Sequence, residues 1–350
     1  MPTAVFAGLL IISMVLSALI TPLVVRLCRS YDLLDMPGER KVHTSGTPRL
    51  GGVAIFTAVS VGMTLTTFGV WGELIQLSAS QARMIPLIYA GLCGFFFIGF
   101  FDDLKSIPAL WRLLMQLVVA SFVVLQGGAV GLRIGSVFGS YVLPEWLSIL
   151  VSVLWIVGVV NTFNWIDGLD GLSSGIGLIC TLAFMMIAMF RPDLPNAILS
   201  LALCLVLAGA IIGFMPWNFH PAKIFIGDGG AFSLGYMLAV ISLVGLYKQA
   251  ALISFVLPVL ILVLPIGDTL FAIGRRLLAR RPITQADDKH IHHRLLARLS
   301  RDYRARMPEA EYGALRDELL RSRAHRNTVL SLYGFAAIFA LIAVLVGTRA

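Results

Sequence analysis

The sequence predicts an all-α polytopic membrane protein of about ten helices, and three observations carry that prediction. Of the 350 residues, 58% are hydrophobic and 13% are charged, with a mean hydropathy of +0.88; soluble domains carry about 25% charged residues. The apolar residues gather in runs near the ~20 residues that cross ~30 Å of hydrocarbon as a helix. The basic residues fall on alternate loops, as the positive-inside rule requires.

In chain order the expected spans are 4–27, 51–70, 85–101, 110–127, 146–162, 171–190, 196–213, 230–247, 250–274 and 328–347. The first has no Lys or Arg ahead of it, and Arg26 and Arg29 follow it. That polarity is wrong for a cleaved secretory signal and fits a retained helix with its N-terminus outside. Glycine and proline interrupt several spans, which membrane helices tolerate. With the N-terminus outside, the loops 26–50, 102–112, 214–229 and 275–327 share one side and hold 22 of the 27 Lys and Arg residues. The topology is therefore N-out and C-out. The net charge of +8 reflects this cytoplasmic bias and is not a nucleic-acid surface.

Between spans, residues 128–145 (GAVGLRIGSVFGSYVLPE) alternate apolar and polar around Phe138-Gly139-Ser140, the pattern of a short periplasmic β-hairpin. Residues 275–327 form a long cytoplasmic loop, helix-prone from about 286 to 325. Cys28, Cys93, Cys180 and Cys204 lie in or beside apolar runs without C-x-x-C spacing, so neither a disulfide framework nor a zinc site is expected. No internal repeat is visible, and the chain reads as one integral membrane domain over residues 1–350.

The polar residues are placed unevenly. GERKVHTSGTPRLGG (38–52), FFDDLKS (100–106), NTFNWIDGLDG (161–171), WNFHPAKIFIGDGGA (217–231) and DDKHIHHRLL (287–296) all fall on the cytoplasmic side. Ionisable groups near membrane depth are functional candidates by default. They supply the carboxylates Asp102, Asp103, Asp167, Asp170 and Asp228, and the cations Lys41, Arg49, Lys105, Arg112 and Lys223. Asn161, Asn164 and Asn218 add amides; His43, His290, His292 and His293 add imidazoles. Hard oxygen donors without thiolates suit Mg²⁺ or Mn²⁺, and the surrounding cations would offset phosphate charge. The sum is a cytoplasmic-face site for phosphoryl chemistry on a nucleotide or a phosphorylated lipid.

Each motif has a plainer reading. Asp102-Asp103 could be a solvated charge pair at a helix end, and the glycines of IDGLDGLSSG could serve turns alone. Gly51-Gly52 could mark close helix packing or leave N–H groups free for a phosphate at a helix start. Convergence of all five on one face argues for a single site. On a helix, neighbouring aspartates point ~100° apart, so Asp102 and Asp103 are expected to have different partners.

TPRLGG, GFFDDLKS, NTFNWIDGLDGL, FIGDGGAFSLG and DKHIHHRLL, in this order, resemble the motifs of the polyprenyl-phosphate N-acetylhexosamine-1-phosphate transferase superfamily, over residues 1–300 and the last span. The HIHHRLL form is similar to its GlcNAc-type members. The resemblance implies transfer of N-acetylglucosamine 1-phosphate from UDP-GlcNAc to undecaprenyl phosphate. The products would be GlcNAc-diphosphoundecaprenol and UMP, which begin a surface glycan such as O-antigen (lipopolysaccharide) or teichoic acid in cell wall biogenesis. Another UDP-N-acetylhexosamine or UDP-MurNAc-pentapeptide is the alternative donor. The implied place is the bacterial inner (plasma) membrane, and the family leaves room for a homodimer.

The resemblance also implies residue roles. Asp228 would be the leading Mg²⁺ ligand, with Asn164 as a second. Asp102 and Asp103 match the paired catalytic aspartates, and Asp167 and Asn161 join Asn164 around the metal-diphosphate. Phe225 would stack on uracil and Asp170 would face its edge. Asn218 matches an Asn-x-x-Pro-Ala position. His290, His292 and His293 would contact sugar phosphate and diphosphate, while Lys41, His43 and Arg49 match the first cytoplasmic loop. The charged stretch after HIHHRLL departs from the family, and Tyr312, Leu315 and Leu319 recur there at amphipathic helical spacing.

A phosphate monoester has its second pKa near ~6, so the acceptor is already largely dianionic at neutral pH. Direct attack on the β-phosphate is therefore favoured over an aspartyl intermediate. An ion-coupled transporter would place its polar residues near the midplane of repeated, broken helices, which this pattern lacks. An intramembrane aspartyl protease would need a Gly-x-Gly-Asp signature, and the chain has none.

Overall fold

The computed structural model describes residues 3–36, 46–127, 136–138, 141–194, 196–245, 259–278, 291–306 and 316–349. Their helices are α1 (Thr3–Ser30), α2 (Gly52–Trp71), α3 (Ala79–Leu104), α4 (Ala109–Gly127), α5 (Glu145–Ile166), α6 (Leu172–Phe190), α7 (Ala197–Asn218), α8 (Gly227–Gly245), α9 (Val263–Leu278), α10 (Ile291–Arg306) and α11 (Arg316–Arg349). Among the described residues nine helices, α1–α8 and α11, are long and apolar enough to cross a membrane. The chain is a polytopic, nearly all-helical membrane protein. The remaining expected span, 250–274, begins outside the described residues, and most of its described part, 259–274, lies in the 16-residue α9.

Four helices overrun their hydropathy limits at one end of the bundle. The expected 85–101 continues as α3 to Leu104, so Asp102 and Asp103 stand in a last helical turn. The expected 146–162 runs to Ile166 and takes in Asn164; 196–213 runs to Asn218; α8 begins at Gly227, not 230. Hydropathy marks where lipid ends, whereas a helix continues until its backbone hydrogen bonds find another partner.

Two small antiparallel pairs complete the description. β1 (Leu34–Asp35) pairs with β2 (Thr47–Pro48), Leu34 opposite Pro48. β3 (Ser136–Phe138) pairs with β4 (Tyr141–Val142), Ser136 opposite Val142. Of the helix-prone stretch 286–325, α10 and the first part of α11 are described, α11 running from Arg316 through the last span; residues 307–315, including Tyr312 and Leu315, lie outside the described residues.

α8 is the axis. It packs against α2, α3, α5, α6 and α7. Every one of its residues except Asp228 and Gly245 is buried. Its Tyr236 hydroxyl donates to the Ile88 carbonyl at 3.1 Å, the kind of partner a buried phenol needs. α1 packs on α7 and α2, α11 on α6 and α10, and α9 on α5. On α1 the burial is inverted relative to a soluble helix: Ser13, Ser17 and Thr21 are buried, while Ile12, Leu19, Leu23 and Leu27 face outward. Small polar residues between helices and large apolar ones outside is the arrangement lipid selects.

Candidate active site

The site begins where two glycine motifs distant in sequence, Gly51-Gly52 and Gly227–Gly230, meet. The Phe225 N–H donates to Pro48 O (2.8 Å), Gly51 N–H to Phe225 O (3.0 Å) and Gly52 N–H to Ile226 O (2.7 Å). A Cβ on Gly52 would overlap the Gly230 backbone. These two N–H groups are spent on the chain itself, so close packing is the reading that holds for Gly51-Gly52. At the start of α8 Gly227 has φ +70°, which favours glycine. A Cβ there would also stand 2.7 Å from Asp103 Oδ2.

Asp103 meets that helix start directly. Its Oδ1 accepts the Asp228 N–H at 2.9 Å and its Oδ2 the Gly229 N–H at 3.0 Å. A carboxylate there satisfies open donors and complements the helix dipole. Asp102 turns elsewhere, as the helical angle requires. It accepts the Ile107 N–H at 2.6 Å and an Arg112 Nη1 hydrogen bond, holding the α3–α4 turn and Arg112 together. Arg112 Nη1 also lies 3.4 Å from Asp228 Oδ2, and its guanidinium is 6.0 Å from the Phe232 ring centroid.

Asp228 is the open member of this group. Its side chain is 30% exposed against 6% for Asp102. Asn164 Nδ2 donates to Asp228 Oδ1 at 2.6 Å. One turn earlier Asn161 donates to Gln116 Oε1 (2.6 Å) and Val157 O (2.8 Å). Asn161 therefore braces α5 against α4 within the bundle. The partly exposed Asp228 carboxylate beside the Asn164 amide offers the oxygen chemistry that suits a hard divalent cation.

A second region lies around the turn from Asp167 to Gly171. Burial, and then the negative charges of Asp103 and Asp170, push the Asp167 carboxyl well above the usual carboxylate range. Burial acts on Asp170 in the same sense. Its bond with His220, the nearby His325 and the Ala222 N–H outweigh burial and hold it below that range. Asp170 Oδ2 lies 2.7 Å from His220 Nδ1 and 3.1 Å from the Ala222 N. His325 of α11 stacks on His220, centroids 4.1 Å apart and 18° between planes. Ring nitrogens of both histidines lie with an Asp170 oxygen within 4.8 Å of one another. Near-parallel rings cannot both aim a lone pair at one ion, so the trio reads as a stacked, hydrogen-bonded clamp. Tyr333 of α11 donates to Gly171 O. The C-terminal helix thus supports this turn.

Asn218 is buried; it donates to Ile224 O (3.0 Å) and accepts from Ser174 (2.7 Å), fixing the loop that carries Phe225. Lys223 lies over the Trp217 ring at 5.1 Å. Phe225 is half-buried and Lys105 is exposed at the end of α3. Arg49 follows β2, and its carbonyl abuts Gly227. His292 is buried and the adjoining His293 half-buried, ring centroids 4.2 Å apart. Lys41, His43 and His290 lie outside the described residues.

Sequence reasoning missed Gln116, His220, Asp268, Arg276, His325 and Tyr333. The signal for Asp268 was present, as a carboxylate within an apolar span. His220 sits inside a motif already singled out. Arg276, buried with its guanidinium 5.2 Å from the Trp165 ring, was counted only as loop charge.

The model of the family described as "Glycosyl transferase family 4" matches residues 85–246, which run from within α3 to the end of α8 and hold GFFDDLKS, NTFNWIDGLDGL and FIGDGGAFSLG. The chain is 36% identical over 341 residues to a Bacillus subtilis protein named "Probable undecaprenyl-phosphate N-acetylglucosaminyl 1-phosphate transferase", covering 95% of this chain and 83% of that one. It is 36% identical over 284 residues to the "Decaprenyl-phosphate N-acetylglucosaminephosphotransferase" of Mycobacterium tuberculosis, covering 74% and 68%. It is 32% identical over 279 residues to the "Undecaprenyl-phosphate alpha-N-acetylglucosaminyl 1-phosphate transferase" of Thermotoga maritima, covering 80% and 78%. With its motifs gathered at one end of the bundle and its length shared with these relatives, the chain belongs to glycosyl transferase family 4.

Proposed function

We propose that this chain transfers N-acetylglucosamine 1-phosphate from UDP-GlcNAc to undecaprenyl phosphate, releasing UMP, at the cytoplasmic face of a bacterial plasma membrane. The observation that carries the reading is Asp228. It is the one residue at the start of the buried α8 that is not enclosed, and Asn164 and Arg112 reach it from two other helices. The names of the relatives support the donor sugar and the polyprenyl acceptor. The topology drawn from charge bias supports the face.

A phosphate oxygen of the acceptor attacks the β-phosphorus of the donor. A new phosphorus–oxygen bond forms, the bond to the bridging oxygen breaks, and UMP leaves. The dianionic acceptor needs no base to ionise it. Its obstacle is repulsion from the diphosphate. Arg112, already between Asp102 and Asp228, supplies positive charge where the phosphates meet. Asp228 and Asn164 would hold Mg²⁺, which when bound offsets the charge on the transferring phosphoryl group. Asp102 and Asp103 are each committed to protein donors. This favours direct attack over an aspartyl adduct. By the resemblance, Phe225 would stack on the uracil and Asp170 would face its edge.

The test uses purified full-length protein with undecaprenyl phosphate, Mg²⁺ and a panel of UDP-N-acetylhexosamines. UMP release with a labelled lipid product from UDP-GlcNAc is expected. Absence of lipid product from every donor would overturn the reading, and preference for UDP-MurNAc-pentapeptide would reassign the donor.

A further inference from the structure

Asp268 stands in the apolar helix α9 and is 2% exposed. Its Oδ1 accepts the N–H of Ile291, the first residue of α10, at 2.8 Å. Its Oδ2 lies 3.4 Å from Nδ1 of His292, whose side chain is also 2% exposed. The other end of that imidazole faces the Asp167–Gly171 turn, for a Cβ placed on Gly168 would fall 2.5 Å from His292 Nε2. Asp268 and His292 share a small cavity with Ile166, Leu172, Leu264 and Leu332. One buried carboxylate therefore joins α9, the start of the helix bearing His292 and His293, and the turn that carries Asp167.

We propose that Asp268 is a positioning residue that fixes the tautomer and place of His292, and through it the Asp167–Gly168 turn. An ionised carboxylate only accepts hydrogen bonds. The ring nitrogen facing it, Nδ1, must therefore carry the proton. With the proton on Nδ1, the nitrogen that faces the turn is Nε2. Gly168 leaves the room that this contact needs. His292 is enclosed, so it acts on the reaction through the turn, and His293 is the more open of the pair. The inference rests on the reading of this turn as part of the donor site.

The experiment has two readouts on full-length protein in lipid discs. Nitrogen NMR of histidine-labelled protein, with the His292 signal identified by its loss in His292→Ala, reports the tautomer without any substrate. Asp268→Asn keeps one acceptor for the Ile291 N–H but turns an amide towards the ring. The His292 proton should move to Nε2, and kcat/KM for the donor should fall roughly 10- to 100-fold, the scale of losing a group that orients a functional histidine. In a His292→Ala background the same change should have almost no further effect, because the two act as one unit. An unchanged tautomer in Asp268→Asn, or a full additive loss in the double variant, would overturn the proposal. Should Asp268→Asn fail to fold, the wild-type spectrum decides alone: Nδ1–H supports the proposal and Nε2–H refutes it. Failure of UDP-GlcNAc turnover would count against the function and leave the tautomer result standing.

Discussion

The two halves of the site are held in opposite ways. At the start of α8 the carboxylates are saturated: Asp103 by two backbone N–H groups, Asp102 by Ile107 and Arg112. At the Asp167–Gly171 turn the supports are imidazoles and a tyrosine drawn from α10, α11 and the 219–222 loop, and Asp167 carries a raised pKa. The first half is a rigid frame around one open acid, Asp228. The second is a mantle of side chains around a turn. On the proposed function the fixed charge of the first half suits phosphoryl transfer, because preorganised groups need no rearrangement during reaction. The turn is tied down instead by side chains from several elements.

This contrast can be broken experimentally. Asp228→Ala should have the largest effect, about 10³-fold or more on turnover by analogy with loss of a transition-state stabiliser, with thermal unfolding in detergent little changed. Comparable activity in UMP-release assays would remove Asp228 from the centre of the site. Asp103→Ala comes next and should act mainly on structure. It leaves two helix-start donors unmet, costing about 2–4 kcal/mol. A lowered unfolding temperature together with reduced kcat is expected, whereas lost turnover at unchanged stability would mean that Asp103 acts in the chemistry.

The third prediction concerns pH. The folded state keeps the Asp167 proton above the ordinary value of 3.8. Wild type therefore gains stability from this group below that value and loses it as pH rises through the raised folded one. Asp167→Asn is neutral throughout. Its stability relative to wild type should increase from about pH 4 towards neutrality, read from unfolding temperatures of ligand-free protein. A relative stability that falls over this range would contradict the assigned environment. The smallest effect is expected from His220→Phe, which keeps the ring stack and loses the bond to Asp170. About 1 kcal/mol of stability and a few-fold rise in donor KM should result, kcat being little altered.

Much of the fold was legible because lipid writes it plainly: apolar runs of spanning length located α1–α8 and α11. The helix ends were not legible, because polar residues at the interface stop the hydropathy signal while α3, α5 and α7 continue for several residues. The candidate residues were recognisable as clusters on one side of the predicted topology. Their division of labour was not, since sequence distance hides who meets whom. Nothing near Asp103 announces that it caps a helix 125 residues later, and Gly51-Gly52 offered packing and phosphate binding equally. Asp268 was hidden for a different reason: a single acid in an apolar span was absorbed into the helix count.

The central claim is that the β-phosphate travels with the sugar. Donor radiolabelled at the β-phosphorus tests it most directly, with undecaprenyl phosphate, Mg²⁺ and the wild-type chain. All of the label should pass to the lipid and none should remain with the released nucleotide, which would be UMP. Label recovered in UDP, with unlabelled sugar on the lipid, would mean that the enzyme transfers the sugar alone and would contradict the account.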